Sequence, residues 1–475
     1  MILQNIIWKE ATKETRELYY RSQSQIHLQD KLMIVPGTSF ATDTYINLFD
    51  VETWSKYTTI EKVVLKIELR GSGRIFLRTM GQEVKEQVYK FQNDKKEEIL
   101  ISVPSEWNGK VYFEIMADEE VEFYGACYIA REIEKKPVKL AIVICTYKRE
   151  QLLKKLLMEL KRAKAILKEQ LEVNVVDNAS ELDLGKESWV RFFHNPNTGG
   201  SGGFGRGMDE VVKHYNEFAA THVLLMDDDV EVQTESIVRL YAVLSCVKEE
   251  YQQEIVAGRM FRMDKPWIQY TAAEIWNGGD LQHIGFELDV SNRENLERIN
   301  DNAGAEYSGW WFCCIPYEFV KDNRPLPFFL HCDDVEYGLR HGGAPIILNG
   351  IQVWHETYEY RQSPVMAYYD MRNSLLVNEI YGQLKPKEEL LTWWKKKITK
   401  AHLEKDYQLE YMLILGMWDF LKGIKWLKRI DAERNHVHRI CALKIKNKLM
   451  TAVMWRVTWL VSNKMIKIGV ENESI

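Results

Sequence analysis

The chain has 475 residues, 46% hydrophobic and 28% charged, with a formal net charge of −6. That is the make-up of a soluble protein with sizeable cores, about three domains by length, and it excludes a disordered or fibrous chain. Seven cysteines (127, 145, 246, 313, 314, 332, 441) form no C-x-x-C pair and no even framework, which argues for a reducing compartment and against a disulfide scaffold or structural zinc.

Residues 1–135 read as a β-sandwich. In VLKIELR, Leu65, Ile67 and Leu69 alternate with Lys66, Glu68 and Arg70, the period of a half-buried strand. RIFLR, EILISV, VYFEIM and VEFYGACYIA follow at short spacing, with turns expected at GSG, SEWNG and ADEE. The N-terminus, MILQNIIWKEATKETRE, lacks the basic and apolar regions of a secretion signal, and no run reaches the roughly 18 apolar residues that span a bilayer. A cytoplasmic location is therefore expected.

The pattern changes after REIEKKP (131–137). LAIVIC (140–145) is a continuous apolar run, as in a strand buried on both faces. A helix with Leu152, Leu153, Leu156, Leu157, Leu160 and Ala163 on one face follows, and LEVNVVD supplies a second strand ending in Asp177. This βαβ grammar predicts a Rossmann-like, mostly parallel α/β sheet over 136–380.

HNPNTGGSGGFGRG (194–207) contains Gly200, Gly202 and Gly205 in the spacing of a dinucleotide fingerprint. That fingerprint belongs at the first strand–helix junction, and here that junction is CTYKRE, without glycine. An NAD(P)-dependent oxidoreductase is disfavoured accordingly. Glycine at this density still signals positive φ or close approach of backbone. Two readings stay open: a plain flexible loop, or a cradle in which amides and Arg206 meet a diphosphate ahead of a helix starting near Met208.

THVLLMDDDV brings an apolar strand out into Asp227, Asp228 and Asp229. Side chains alternate along a strand, so Asp227 and Asp229 share a face and Asp228 points away. The pair suits Mg²⁺ or Mn²⁺, against the plainer reading of an acidic turn. HCDDVEYGLRHGG places Asp333 and Asp334 at the start of a helix that glycine ends, where they serve as capping acids or, in the case of Asp334, as a general base. IQVWHE delivers His355 on a strand as a third candidate metal ligand, or as a core histidine. Trp310 and Trp311 in SGWWFCC are either a floor for a sugar ring or core packing.

From 381 the chain reads as basic amphipathic helices, with 19 Lys/Arg against 10 Asp/Glu, a balance of +9. Within it, LMTAVMWRVTWLV (449–461) is too short to span a bilayer; it is either an ordinary helix docked on the catalytic domain or a helix that suits an anionic membrane surface, which would make the protein peripheral on the inner face of the plasma membrane. Nothing points to nucleic acid, and a homo-oligomer is compatible with the sequence.

Taken in order, LAIVICTYKRE, VVDNAS, NPNTGGSGGFGRG, LLMDDDV, SGWWFCC, HCDDVEYGLR and VWHE resemble the family-two inverting glycosyltransferases of the GT-A fold. More narrowly they are similar to bacterial galactofuranosyltransferases, whose β-sandwich domain has a segment like DTYINLFDVETW (43–54). The resemblance implies an N-terminal β-sandwich (1–135), a GT-A catalytic domain (136–380) and a helical region (381–475). It implies that Thr146, Arg149, Asp177 and Asp228 hold the nucleoside side of a nucleotide-sugar donor, and Asn197, Gly199, Gly200, Gly202, Gly203 and Arg206 its diphosphate or sugar. It further implies Asp227, Asp229 and His355 as ligands of Mn²⁺ or Mg²⁺, Asp334 as base, and Asp333, Trp310 and Trp311 beside a glycan or lipid-linked glycan acceptor. UDP-galactofuranose is the donor implied, in cell-surface polysaccharide synthesis. A rhamnosyltransferase using dTDP-rhamnose shares nearly all these motifs, and a non-catalytic carbohydrate-binding protein would leave the acids unexplained. Two departures stand out: Ile46 replaces a usual aromatic residue, and the chain is shorter than the galactan-polymerising members.

Overall fold

A computed structural model describes residues 1–475 apart from 24, 28–29, 183–187, 301, 358–362, 444–447 and 466–475. The last ten residues of the expected helical region thus lie outside the described residues. Residues 2–130 form an antiparallel sheet of ten strands. One of its two longest members, Val63–Thr79, buries Leu65, Ile67 and Leu69 in its first half and Ile75 and Leu77 in its second. The first half pairs with Val121–Ala130 and the second with Lys110–Ala117. The turn expected at GSG is absent, and the strand runs through it. Gly71, at φ +121°, sits at a register shift, where a Cβ would lie 2.3 Å from the Glu120 carbonyl oxygen. These glycines mark a bulge and a close backbone approach, which look like a turn in sequence.

The DTYINLFDVETW segment ties this sheet to the rest of the molecule. The Asn47 side chain accepts from the Ile7 N–H at 2.8 Å and donates to the Ile7 carbonyl at 2.7 Å. Tyr45 packs its ring 4.8 Å from that of Phe261, on the second sheet. Alongside, buried Glu235 accepts from the Asn5 backbone and side chain and from Arg239 Nε, at 2.7–3.0 Å. Leaving Glu235 unpaired would cost about 1–3 kcal/mol, so its bonds to Asn5 favour one relative placement of the two sheets.

In the second sheet we label β1 (Leu140–Thr146), α1 (Glu150–Leu167), β2 (Leu171–Asp177), β3 (Val190–His194), α2 (Gly199–Lys213), β4 (His222–Asp227), α3 (Thr234–Cys246), β5 (Val256–Arg262), β6 (Cys313–Pro316), α4 (Asp333–His341) and β7 (Ile346–His355). The strand order is β3-β2-β1-β4-β6-β5, with β7 beside β5. Strands β1 to β4 are mutually parallel, but β6 runs antiparallel to both β4 and β5. The sheet is therefore mixed rather than mostly parallel. Cys313–Pro316 is buried throughout, and such a pattern does not encode strand direction. The order reverses between β1 and β4, and the ends of these strands, at Thr146 and Asp227, are the usual ligand position in such sheets.

The helix α5 (Pro364–Ile380) packs with the helices Lys387–Leu403 and Tyr407–Phe420 around Trp394, Leu376, Ile414 and Met417. The helix Lys448–Met465 buries Thr458 and Ser462 while exposing Val453, Val457 and Leu460. Among the described residues, no helix is long and apolar enough to cross a membrane.

Candidate active site

The glycine-rich stretch is helical, not a loop: α2 begins at Gly199 rather than near Met208. A Cβ on Gly203 would stand 2.1 Å from Cys145 Sγ, and one on Gly207 2.2 Å from Val143 Cγ1. Spaced one turn apart, these two glycines let α2 lie directly on β1. Gly199, at φ +71°, passes the Phe329 carbonyl equally closely, and a Cβ on Gly200 would lie 3.8 Å from Asp333 Oδ2. Asn197 Oδ1 accepts from the Gly199 N–H at 3.1 Å, and the Gly199 carbonyl accepts from Asn178 Nδ2 at 2.8 Å. The first turn of α2 is thus fixed between the end of β1 and the segment leading into α4. Arg206 lies further along, bonded to Glu210 at 2.9 Å. At 1.5 Å per residue it stands roughly 10 Å along the helix axis from Gly199.

Beyond β4 the alternation expected of the aspartate triplet is present. Asp227, Asp229 and His355 offer ligand atoms within 4.8 Å of one another. His355 Nε2 lies 3.2 Å from Asp229 Oδ1 and 3.6 Å from Asp227 Oδ2. Two carboxylates and an imidazole fit a borderline-hard divalent ion such as Mn²⁺. Asp228 turns the other way, into β1: Thr146 Oγ1 donates to its Oδ2 at 2.6 Å and Arg149 Nη1 to its Oδ1 at 3.1 Å. Arg149 Nη1 also donates to Asp229 Oδ2 at 2.6 Å, linking the two faces. Burial pushes the Asp228 carboxyl up to about 6, against the pull of Thr146 and Arg149.

Asp333 and Asp334 open α4, which ends at Gly342 in the left-handed conformation. Each keeps an accessible edge, yet the surrounding protein raises both carboxyls. After burial, the largest influence on Asp333 is the charge of Asp334. On Asp334, burial is opposed by the Val335 N–H, which donates to its Oδ1 at 2.8 Å, and reinforced by the charges of Glu274 and Asp227. Asp334 therefore shares an electrostatic environment with the Asp–Asp–His cluster.

Other expected residues sit differently. Asp177 ends β2 beside Thr146, and its oxygens accept from the N–H groups of Ala179, Glu181 and Leu182 at 2.8–2.9 Å. Trp310 and Trp311 form no open floor. Trp310 meets Phe204 and Tyr337 edge-on, and buried Trp311 donates its indole N–H to the Gly258 carbonyl at 3.0 Å. The loss of water contact on two indoles outweighs their use as exposed surface. Sequence reading missed Glu274, which is buried, raised by that burial, and held by His283 at 2.7 Å. The turn NGGD (277–280) announces its hairpin, but no spacing connects it to Asp334.

The chain is a glycosyltransferase, similar along most of its length to enzymes of that class. Curated relatives include Galactofuranosyltransferase GlfT2 from Mycobacterium tuberculosis, 26% identical over 91% of this chain and 72% of that protein, and its namesake from Mycolicibacterium smegmatis, 25% identical over 87% and 68%. Residues 3–131 match the family described as Galactofuranosyltransferase 2 N-terminal. A solved mannosyltransferase, PcManGT from Pyrobaculum calidifontis in complex with GDP-Man and Mn2+, overlaps 71% of this chain and 88% of that one at a TM-score of 0.33 and 11% identity, too slight a likeness to bear on the assignment.

Proposed function

We propose that the protein transfers galactofuranose, with inversion, from UDP-galactofuranose to a glycan or lipid-linked glycan acceptor in bacterial cell-surface polysaccharide synthesis. The observation that carries this reading is the Asp227–Asp229–His355 cluster at the C-terminal end of β4, with the charge of Asp227 among the influences that raise the Asp334 carboxyl. The choice of donor is supported by the similarity to proteins named galactofuranosyltransferases.

In this reading Asp227, Asp229 and His355 hold a manganese or magnesium ion, which when bound supplies Lewis-acid stabilisation of a departing diphosphate. Thr146 and Arg149, braced by Asp228, border the nucleoside with the Asp177 turn. The start of α2, with Gly199, Gly200, Gly202 and Gly203 and with Asn197 just ahead of it, turns the positive helix end toward anionic oxygens. Asp334 takes the proton from an acceptor hydroxyl whose oxygen attacks the anomeric carbon, while the bond to the nucleotide breaks on the opposite face. The configuration inverts in this one step, and no covalent sugar–enzyme intermediate forms. Asp333 lies beside the acceptor. The exposed Val453, Val457 and Leu460, within a region of balance +9, suit an anionic membrane surface that would bring lipid-linked acceptors to the site.

Asp334→Asn tests the base. Transfer should fall by roughly 10²–10⁴-fold, the range for losing a general base, with manganese-dependent UDP binding retained. The base acts deprotonated and its carboxyl is raised. The wild-type rate should therefore be full at neutral pH and fall as pH drops through a value above the ordinary aspartate range. The variant should lose that limb. Near-normal turnover in Asp334→Asn would remove the residue from this role.

A further inference from the structure

We propose that Arg372 and Asn373, on α5, are positioning residues for the transfer step: they lock the segment ahead of α4 so that the Asp334 carboxylate is aimed at the acceptor hydroxyl. The inference rests on the reading of Asp334 as base, and adds to it a device built from a different part of the chain.

The segment entering α4 has a backbone that needs holding. Phe329, His331 and Cys332 have φ of +74°, +63° and +64°, three left-handed non-glycine residues within four positions. Such conformations persist only where their surroundings over-determine them, and they gather at functional sites. Here the bend turns three of its carbonyls inward onto one side chain. Asn373 Nδ2 donates to the carbonyls of Leu330 at 2.7 Å, His331 at 2.9 Å and Phe328 at 3.3 Å. Arg372 Nη2 donates to the Phe328 carbonyl at 2.6 Å, and its Nε donates to Asn373 Oδ1 at 2.8 Å, which fixes the orientation of the amide. Both residues are fully buried.

The clamp is itself anchored among the C-terminal helices. Arg372 Nη1 donates to the Tyr368 hydroxyl at 3.0 Å, and that hydroxyl donates to Asp419 Oδ2 at 2.6 Å. Arg439 meets the same Asp419 oxygen at 2.7 Å. On the other flank, the Phe329 N–H donates to Ser201 Oγ at 2.8 Å, joining the bend to the glycine-rich start of α2. The bend is thus held from both sides, and Asp333 and Asp334 follow it immediately. An amide that gathers three carbonyls of one strained bend does more than fill a core. It sets the direction in which α4 leaves that bend, and so the place of its first carboxylates.

The test uses the full chain, with UDP-galactofuranose and an alkyl galactofuranoside for transfer, and UDP with manganese chloride for calorimetry. In Asn373→Ala, kcat should fall by about 10²-fold, the usual cost of displacing a reacting group by an ångström. KM for the donor and the UDP dissociation constant should stay within about twofold, because uniform binding is untouched. Arg372→Lys, which keeps the buried charge but loses the bond to Phe328, should move kcat the same way. Leu376→Ala, on the same helix and buried in its apolar core, supplies the control for simple destabilisation and should leave kcat near wild type. Placed on Asp334→Asn, the Asn373→Ala change should have no further effect, since the group it positions is gone. A folded Asn373→Ala protein with normal kcat overturns the proposal alone, as does an equal loss in Leu376→Ala or an undiminished loss on the Asp334→Asn background. A normally active Asp334→Asn protein overturns the base assignment and the proposal with it.

Discussion

Replacing Gly203 by alanine probes whether the glycines of α2 serve packing or mobility. The added Cβ would sit 2.1 Å from Cys145 Sγ, 3.0 Å from Asn178 Nδ2 and 3.1 Å from Cys145 Cβ. Cys145 belongs to β1, held by neighbours on both sides, so the helix rather than the strand must shift. Overpacking of this severity costs about 3 kcal/mol, the upper end of the usual range. The helix preference for alanine over glycine returns about 1 kcal/mol, leaving a loss of about 2. Gly205, two residues on, has nothing nearer its Cβ position than Pro325 Cδ at 3.6 Å, so Gly205→Ala keeps the gain of about 1 kcal/mol. Two chemically identical changes in one turn should therefore differ by about 3 kcal/mol in urea unfolding followed by tryptophan fluorescence. Cys145→Ala should restore part of the loss in Gly203→Ala, by removing the nearest atom. Equal effects at the two positions, or a larger loss at Gly205, would refute the packing account and return the segment to a mobile loop.

Two further outcomes follow from the same geometry. Asp227→Ala and Asp229→Ala should each abolish most manganese-dependent UDP binding in calorimetry, whereas Asp228→Ala, which frees Thr146 and Arg149 but leaves the ligand set whole, should weaken it less; the reverse ranking would mean that the strand register is wrong. Replacing Val453, Val457 and Leu460 together by serine should abolish salt-sensitive flotation with anionic vesicles, and a variant that floats as well as wild type would end the membrane role.

Much of the site was legible because it sits where simple periodicities end. Asp227 and Asp229 are separated by the strand period of two, Asp333 and Asp334 precede a helix that a glycine terminates, and His355 closes an apolar strand. Each is a local pattern, and local patterns survive in sequence. The glycines were harder to read, because positive φ, a bulge and a close helix–strand contact all select the same residue. Gly71 and Gly203 meet the second and third of these demands, where a turn and a loop were expected. Trp310 and Trp311 have the chemistry of a sugar platform, but burial is decided by Phe204, Tyr337 and Gly258, all distant in sequence. The same holds for Arg372 and Asn373, whose carbonyl partners in the bend before α4 lie more than forty residues away. The direction of β6 was likewise invisible, since a fully buried strand looks alike either way.

The donor is the centre of the account, and a panel of three measures it directly. UDP-galactofuranose, UDP-galactopyranose and dTDP-rhamnose would be offered in turn with manganese and a short lipid-linked or alkyl galactoside, scoring product mass and nucleotide release. The account predicts turnover with UDP-galactofuranose, a product heavier by one hexose, and no transfer from the other two. Turnover confined to dTDP-rhamnose, with a product heavier by one deoxyhexose, would contradict it.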